Sequence, residues 1–296
     1  MRKSIFDIVS ESIDMNSEIR RILAMARRED VLCVDKYSYF TLFDFIDEYC
    51  FIEWECRGHF INVDDFLEAL DFGNLEKSAT FDVDSLLTLI ELVYNFWNLS
   101  HKQFDDNDKY YQLQYCGNYY HLKNVMDDIL EQYNHIAYIN EKEKCVLVIE
   151  NKEDVTAVAE ILPSTLSLDV IKYNHRSLNG EIELKKSILL KLSNELEPKR
   201  KELEKINKQL SQDIFFMLNN LNIRHNNRSK KDKNYKEYVA KMKKDSLEKW
   251  YDELYQMILL AFLLLDNVNR IPQVEELKTK LSEEKDNGQS QNTDSE

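Results

Sequence analysis

The chain of 296 residues has very little glycine and proline, with five of the first and three of the second. Sheet-rich folds reverse direction at tight turns, which use both residues heavily. This scarcity argues against a sheet-rich fold and favours helices joined by polar loops. Because 43% of the residues are hydrophobic, the chain can still build a core. We therefore predict a mainly α fold, a helical bundle with long antiparallel helices.

Several signatures of catalytic and metal sites are also absent. No HExxH, P-loop, GxGxxG or GxSxG segment occurs, which argues against a metalloprotease, a nucleotide-dependent enzyme and a serine hydrolase. The cysteines lack CxxC spacing. A zinc site of Cys50, Cys56 and His59 is conceivable, but structural zinc sites use paired spacing. We expect reduced thiols, no metal and no cofactor.

Long apolar runs are missing as well. The start "MRKSIFDIVSESIDMNSEIRR" carries acidic residues every few positions, unlike a signal peptide. The longest uninterrupted apolar run, "MILLAFLLL" at 257–265, is shorter than the roughly twenty residues of a membrane span. We expect a cytoplasmic protein that does not enter a membrane.

Hydrophobic periodicity predicts helices along most of the first half of the chain, including residues 3–28 and 83–99. Asn62 and Gly73 bracket a further short helix as cap and stop. The segment 136–149 breaks this pattern. Its two β-branched apolar runs surround the polar turn "NEKEK" and predict one short β-hairpin.

The pattern becomes long and regular from residue 177 onward. Pro198 separates a helix over 178–196 from one over 198–222, because proline fits the first position of a helix. The second helix should be continuous over about 25 residues, or roughly 37 Å. It should pair antiparallel with a helix over 245–268 that opens on an acidic capping box. The apolar stripe of this pair should bury Leu210, Ile214, Leu254 and Phe262. A last short helix follows Pro272.

Four segments are expected along the chain. An aromatic-rich helical region covers residues 1–135, and the hairpin with a connecting helix covers 136–176. A long-helix bundle with a basic tip covers 177–283. Residues 284–296 have the composition of a disordered tail.

The stretch "LNNLNIRHNNRSKK" at 218–231 follows a strongly apolar helix and gathers asparagines around Arg224 and His225. Residues 223–244 hold nine Lys or Arg against two acidic residues, within a chain whose net charge is −15. An acidic surface repels a phosphate backbone. Any contact with nucleic acid is therefore expected in this basic segment.

A second cluster, "YNHR" at 173–176, precedes the helix over 178–196. If that helix and the next are antiparallel, both clusters lie at one end of the bundle, and His175 becomes a neighbour of His225. Histidine suits acid/base chemistry at the ribose 2′-OH, and arginine suits the phosphate. The candidate catalytic residues are His225, Arg224 and His175. The candidate substrate-binding residues are Arg176, Asn174, Asn220, Asn226, Asn227, Arg228, Lys230 and Lys231.

The order of long helix, Arg/His/Asn cluster and long helix, over at most residues 177–270, resembles the HEPN superfamily of helical ribonucleases. That family is widespread in bacterial toxin–antitoxin and abortive-infection systems. The resemblance implies a metal-independent endoribonuclease in which two copies form one site. In the family an Arg precedes a His by four to six positions, whereas Arg224 directly precedes His225.

Two alternatives stay open at this point. The asparagines and His225 satisfy the carbonyls of a helix end in one, and the lysines form a solvated loop. The protein is then a non-catalytic interaction or antitoxin-like protein whose acidic N-terminal half contacts a basic partner. In the other, the same end of the bundle binds or cleaves RNA in phage defence, and a homodimer forms the site.

Overall fold

A computed structural model describes residues 14–28, 32–33, 39–73, 80–105, 114–115, 117–140 and 145–290. The prediction of a mainly α fold is confirmed. The chain divides into two compact units, Met1–Asn151 and Lys152–Glu296. The division follows Asn151, whereas the sequence suggested boundaries after residues 135, 176 and 283.

Unit 1 contains five helices among its described residues. They are α1 (Met15–Ala26), α2 (Leu42–Tyr49), α3 (Val63–Ala69), α4 (Val83–Asp105) and α5 (Gly117–Gln132). The Asn62 side chain accepts a hydrogen bond from the Asp65 N–H at 2.7 Å and caps α3 as predicted. Residues 3–13 of the first predicted helix lie outside the described residues.

The core of unit 1 contains a cluster of packed aromatic rings. The ring of Trp54 packs against Phe66 and Phe96, with centroid distances of 5.5 Å to each, and Phe43 meets Phe96 edge to face at 5.8 Å. Such tilted and edge-to-face contacts are favourable geometries for aromatic pairs. The aromatic run after residue 36 therefore serves the core through α2 and the turn that follows it.

The predicted hairpin is confirmed. Strand β4 (His135–Asn140) pairs antiparallel with β5 (Cys145–Glu150), and Ile136 lies opposite Ile149. Residues 141–144 of the turn lie outside the described residues. Three two-residue strands, β1 (Leu32–Cys33), β2 (Tyr39–Phe40) and β3 (Gln114–Tyr115), form a second small sheet that the sequence pattern did not predict.

Side chains of α4 cover one edge of the hairpin. The Asn95 amide accepts from the Val146 N–H at 2.9 Å and donates to the Val146 carbonyl at 2.8 Å, while a Glu91 carboxylate oxygen accepts from the Val148 N–H at 2.7 Å. An isolated two-stranded hairpin is marginal in water and an open edge recruits other strands. Side chains of α4 therefore satisfy backbone groups on the open edge of strand β5.

Unit 2 contains no strand among its described residues. Its helices are α6 (Glu153–Ile161), α7 (Ser164–Tyr173), α8 (Ile182–Leu196), α9 (Arg200–Ile206), α10 (Lys208–Asn220), α11 (Glu237–Lys241) and α12 (Lys244–Ser290). Short 3-10 turns, Arg176–Leu178 and Glu197–Lys199, precede and follow α8.

The prediction of one continuous helix over 198–222 was wrong. Pro198 lies in the 3-10 turn, and the chain breaks again at Asn207, whose backbone is extended with φ −147° and ψ 92°. The Asn207 side chain accepts from the Leu210 N–H at 3.0 Å. The Asn side chain hydrogen-bonds to nearby backbone groups in non-helical conformations, which disfavours it inside a helix and favours it at a helix start. Asn207 therefore ends α9 and starts α10.

The opposite difference occurs at Pro272. The structure has a single helix, α12, from Lys244 to Ser290 with Pro272 inside it. The sequence instead suggested a helix end near 268, a new helix after Pro272 and a tail from 284. Residues 291–296 lie outside the described residues.

The antiparallel pairing of the segment 198–222 with the start of α12 is confirmed. The Tyr251 hydroxyl donates to the Leu221 carbonyl at 3.0 Å, and the Lys199 ammonium lies 5.6 Å from the centroid of the Phe262 ring. Residue 199 therefore lies near residue 262 and residue 221 near residue 251, so the segment 198–222 and α12 run in opposite directions. The four predicted stripe residues are buried: Leu210, Ile214, Leu254 and Phe262.

Among the described residues, one helix is long and apolar enough to cross a membrane by length and composition. It covers Lys244–Ser282, and its most apolar stretch of 18 residues has a mean hydropathy of 1.3. Of that stretch, 28% is buried inside the protein. A core helix of a soluble protein meets the same criterion, so this observation is weak evidence of a membrane span.

Replacing Leu210 by Ala should lower the free energy of unfolding by about 2–5 kcal/mol, because the side chain is 8% exposed and leaves a cavity. Ile206, which is 38% exposed, provides the matched control and should lose clearly less on replacement by Ala. Denaturant unfolding of both variants measures the difference. Equal losses would show that the stripe does not carry the packing of α10.

Candidate nucleic-acid interface

The polar segment begins with a turn at the end of α10. The Leu221 N–H donates to the Met217 carbonyl at 2.9 Å, and the Arg224 N–H donates to the Leu218 carbonyl at 3.0 Å. Between them, Asn222 adopts a left-handed conformation with φ 62°. Asparagine tolerates this conformation and often ends helices in it. Backbone N–H groups of this turn therefore satisfy the Met217 and Leu218 carbonyls at the helix end.

Asn222 and Asn227 lock the loop by a reciprocal pair of hydrogen bonds. The Asn222 N–H donates to the Asn227 side-chain oxygen at 2.8 Å, and the Asn227 N–H donates to the Asn222 side-chain oxygen at 3.0 Å. Asn227 is fully buried. Its amide also donates to the Asn234 carbonyl at 2.8 Å, and its carbonyl accepts from the Lys236 N–H at 2.8 Å. Asn227 therefore connects the start of the segment at Asn222 with its later part at Asn234 and Lys236.

Arg224 is engaged inside unit 2. Its guanidinium forms an ion pair with Glu197 and donates to the hydroxyl and the carbonyl of Ser193 at 3.3 Å each. It also lies 5.2 Å from the centroid of the Phe215 ring. These contacts engage the guanidinium group that was predicted to bind phosphate. They also hold the loop against the C-terminal end of α8.

His175 is buried and caps a turn. Its Nδ1 lies 2.7 Å from the Ser177 hydroxyl and 3.2 Å from the Ser177 backbone nitrogen, at the start of the 3-10 turn Arg176–Leu178. The neighbouring Asn174 amide donates to the Tyr255 hydroxyl at 3.4 Å, and Arg176 is partly buried. The "YNHR" cluster is thus a turn between α7 and α8.

These contacts of His175 and Arg224 lie at different places along α8. His175 precedes the N-terminal end of α8, whereas the Arg224 guanidinium contacts Ser193 in its last turn and Glu197 beyond it. The loop nevertheless begins near the N-terminal end of α8, because the Tyr251 hydroxyl donates to the Leu221 carbonyl and Glu248, on the preceding turn of α12, accepts from the Gly180 N–H at 2.7 Å. The convergence of His175 and His225 on one site stays a prediction.

Five of the candidate residues are exposed: His225, Asn226, Arg228, Lys230 and Lys231. The His225 side chain makes no hydrogen bond or ion pair with the described residues. The Arg228 guanidinium donates to the Met242 carbonyl at 3.3 Å, across the base of the loop. The remaining candidate, Asn220, donates its amide back to the Phe216 carbonyl at 2.8 Å and belongs to the helix end.

The second half of the loop carries exposed residues that were not among the predicted site residues. Lys233, Lys236 and Lys243 are exposed, and Tyr238 of α11 is 78% exposed. The repeated alternation of lysines with tyrosines in "KDKNYKEYVAKMKK" was the available signal. We call the segment 225–244 the basic loop.

A buried ion cluster fixes the end of the basic loop on α8. The Lys185 ammonium pairs with Glu248 and Asp252 at 2.8 Å each, and its side chain is 6% exposed. It also lies 5.2 Å from the centroid of the Tyr173 ring. Burial acts to raise the pKa of Glu248, but hydrogen bonds from Lys185 and from the Gly180 N–H outweigh it, so this pKa lies below its ordinary value.

Two tyrosines extend this cluster. Tyr173 and Tyr255 stack with their centroids 3.9 Å apart, and the Tyr173 hydroxyl donates to Asp252 at 3.2 Å. Burial raises the pKa of both hydroxyls well above the ordinary value. The two tyrosines therefore stay neutral and donate hydrogen bonds. The sequence signal was a lysine on the apolar side of α8 facing Glu248 and Asp252 at i, i+4 on α12.

Unit 1 has a pocket of about 340 Å³ between α4, α5 and β4. Tyr94 donates to Asp127 at its floor, and Lys123 pairs with the same carboxylate. Both oxygens of Asp127 are thereby occupied, so these polar groups satisfy one another. In the part of the chain that the structure describes, no group of three or more His, Cys, Asp or Glu side chains could hold a metal ion.

Replacing Arg224 or His225 by Ala should affect the free energy of unfolding differently, because Arg224 is engaged inside unit 2 and His225 is exposed. Arg224→Ala should lower the free energy of unfolding by about 1–3 kcal/mol, since it breaks charged hydrogen bonds and an ion pair. His225→Ala should change it by less than about 0.5 kcal/mol because the side chain is exposed. Thermal and denaturant melts measure both, and a large loss at His225 would contradict the description of the loop.

Comparison with known protein families, curated proteins and solved structures finds no match to this chain. The HEPN resemblance of residues 177–270 is therefore carried by the order of helices and polar residues alone, and it stays a hypothesis. What the site can do follows from its own geometry: an ordered loop with an engaged arginine, exposed lysines and an exposed tyrosine.

Proposed function

We propose that the protein binds single-stranded RNA through the basic loop. The observation that carries this proposal is a set of exposed lysines whose ammonium groups make no ion pair with the described residues. These lysines are Lys230, Lys231, Lys233, Lys236 and Lys243. Lys241, by contrast, pairs with Glu237 at 2.6 Å.

The charge distribution favours a polyanion as the ligand. The rest of the chain taken together carries a net charge of −22, because the whole chain carries −15 and residues 223–244 carry +7. Phosphate groups displace small counter-ions from clustered lysines, and this release drives binding. The acidic remainder repels the same phosphates, which confines the contact to the loop.

Tyr238 favours single-stranded nucleic acid over a duplex. Its ring is exposed on α11, between Lys236 and Lys241. Non-specific single-strand binders combine a positive surface with aromatic rings on which bases stack. The exposed amide of Asn226 and imidazole of His225 supply hydrogen-bonding groups for a ribose 2′-OH, which distinguishes RNA from DNA.

The proposed activity is binding and not cleavage. Cleavage at the 2′-OH requires an acid/base group together with a cation aimed at the phosphate. Arg224 is held by Glu197 and Ser193, and His175 caps a buried turn. A role in bacterial abortive infection, which the HEPN resemblance implies, would then act through sequestering RNA.

Lys230, Lys231 and Lys233 should each contribute to phosphate binding. Replacing all three by Gln should lower the affinity for a single-stranded RNA at least tenfold and reduce the slope of log K against log[salt] by about 2, since each phosphate contact contributes about 0.7. Fluorescence anisotropy with a labelled RNA at several salt concentrations measures both quantities.

The matched control replaces Lys201, Lys205 and Lys208 by Gln. These lysines are exposed on α9 and α10 and lie outside the basic loop, so affinity and slope should stay near wild type. Equal effects of the two triple variants would reduce the interaction to net charge and contradict a defined site. Recovery of intact RNA after incubation supports binding without cleavage. RNA cleavage by the wild type that is lost in His225→Ala would contradict the proposal that the protein binds RNA without cleaving it.

Tyr238→Ala should weaken RNA binding by about 1–3 kcal/mol, the range for one base stacked on an aromatic ring. Tyr238→Phe should retain the affinity because it keeps the ring. Neither variant should alter the salt slope, since no phosphate contact is removed. An unchanged affinity in Tyr238→Ala would exclude stacking at this position.

A further inference from the structure

The second half of α12 projects from unit 2. Between Leu247 and Leu265 the helix buries one face in the core of the unit, but every residue from Asn269 to Ser282 is exposed. These 14 residues correspond to roughly 21 Å of helix. An isolated helix of this length is marginal in water, and Pro272 removes one of its hydrogen bonds.

Few interactions within the helix offset that weakness. The ion pairs Arg270–Asp266, Lys278–Glu275 and Lys280–Glu276 join successive turns. Exposed pairs of this kind contribute little each. Helices in proteins owe most of their stability to packing of an apolar face. The projecting segment therefore needs a surface to pack on.

An apolar stripe follows this segment on the face opposite to the core. Leu260, Ile271, Val274 and Leu281 are 48%, 51%, 48% and 50% exposed, and Leu264 is partly exposed. These residues occupy heptad positions, with 264, 271 and 278 at a and 260, 267, 274 and 281 at d. A stripe of period 3.5 is the seam of a coiled coil.

We propose that the stripe pairs with the same segment of a second copy of this chain, as a parallel two-stranded coiled coil. The residues that interrupt the stripe fit this occupant. Asn267 lies at d and Lys278 at a, and isolated polar residues at such positions specify register and a low oligomeric state. Pro272 lies at b, where its ring faces away from the partner.

Charge complementarity favours a second copy in the parallel orientation. In a parallel pair a residue at g faces the e position of the next heptad on the other chain. Arg270 lies at g and Glu275 at e, so the pairing is attractive twice in the dimer. In an antiparallel pair g faces g, and Arg270 meets Leu263, Arg270 or Leu277 in three registers and the opposite charge of Glu284 in one. The parallel dimer joins opposite charges with the two apolar stripes in register.

The oligomeric state of the full chain tests this proposal. Light scattering after gel filtration at tens of micromolar should give twice the chain mass of 35.3 kDa. Ile271→Lys with Leu281→Lys should give the monomer mass with an unchanged far-ultraviolet spectrum for the rest of the protein. The matched control, Leu184→Lys with Phe216→Lys, replaces residues of unit 2 that are 53% and 66% exposed and should remain dimeric.

Charge exchange tests the orientation. Arg270→Glu should weaken the dimer at least tenfold, and adding Glu275→Arg should restore it. A monomeric wild type, dissociation of the control, or failure of the double exchange to restore pairing would overturn the proposal. Flotation of a monomeric wild type with vesicles of phosphatidylcholine and phosphatidylglycerol would overturn it in favour of a membrane surface.

Discussion

The buried ammonium of Lys185 is the interaction on which the arrangement of unit 2 depends. It joins α8 to α12 through Glu248 and Asp252, and it lies over the ring of Tyr173 at the end of α7. A buried charge that loses one partner is strongly destabilising, because the remaining group is left without solvent or a counter-charge. The cluster therefore fixes the start of α12 against α8, and with it the return point of the basic loop.

The loop itself is ordered by neutral groups. Asn222 reverses the chain in a left-handed conformation, and the buried Asn227 joins the loop's two halves through backbone hydrogen bonds. These amide hydrogen bonds leave five lysines of the loop exposed and without an ion pair to the described residues. Arg224 is the exception, since Glu197 neutralises it and directs it inward. The result is a positive surface presented by an otherwise acidic protein.

The two inferences about unit 2 are consistent with one another. The basic loop ends where α12 begins, at Lys244, and the apolar stripe occupies the far half of the same helix. A parallel pair of helices places both starts at one end of the assembly. Two loops at the same end would bind one strand with a high effective concentration. Dimerisation and RNA binding nevertheless depend on different residues and can fail separately.

The sequence predicted what depends on periodicity and composition. The scarcity of Gly and Pro indicated helices, the β-branched runs indicated the hairpin, and the stripe of Leu210, Ile214, Leu254 and Phe262 is buried as expected. It failed where a local preference and the tertiary setting disagree. Asn207 breaks a helix whose apolar stripe is continuous, whereas Pro272 does not end α12.

The candidate site shows the same limit. Arg224 and His225 are adjacent, but the turn at Asn222 sends one side chain to Glu197 and leaves the other exposed. Sequence spacing carries no information about such a turn until its conformation is known. The burial of Lys185 likewise depends on two carboxylates more than sixty positions away along the chain. The lysines and Tyr238 of the second half are visible in the sequence as basic residues interleaved with tyrosines.

Mapping the contact on the wild-type protein tests the central claim most directly. Ultraviolet crosslinking to a uridine-rich single-stranded RNA, followed by mass spectrometry of the peptides, identifies the residues that touch the strand. The account predicts crosslinks within 225–244, centred on Tyr238 and its flanking lysines. Crosslinks confined to unit 1 or to the turn at His175, or no crosslink under low-salt conditions, would contradict it.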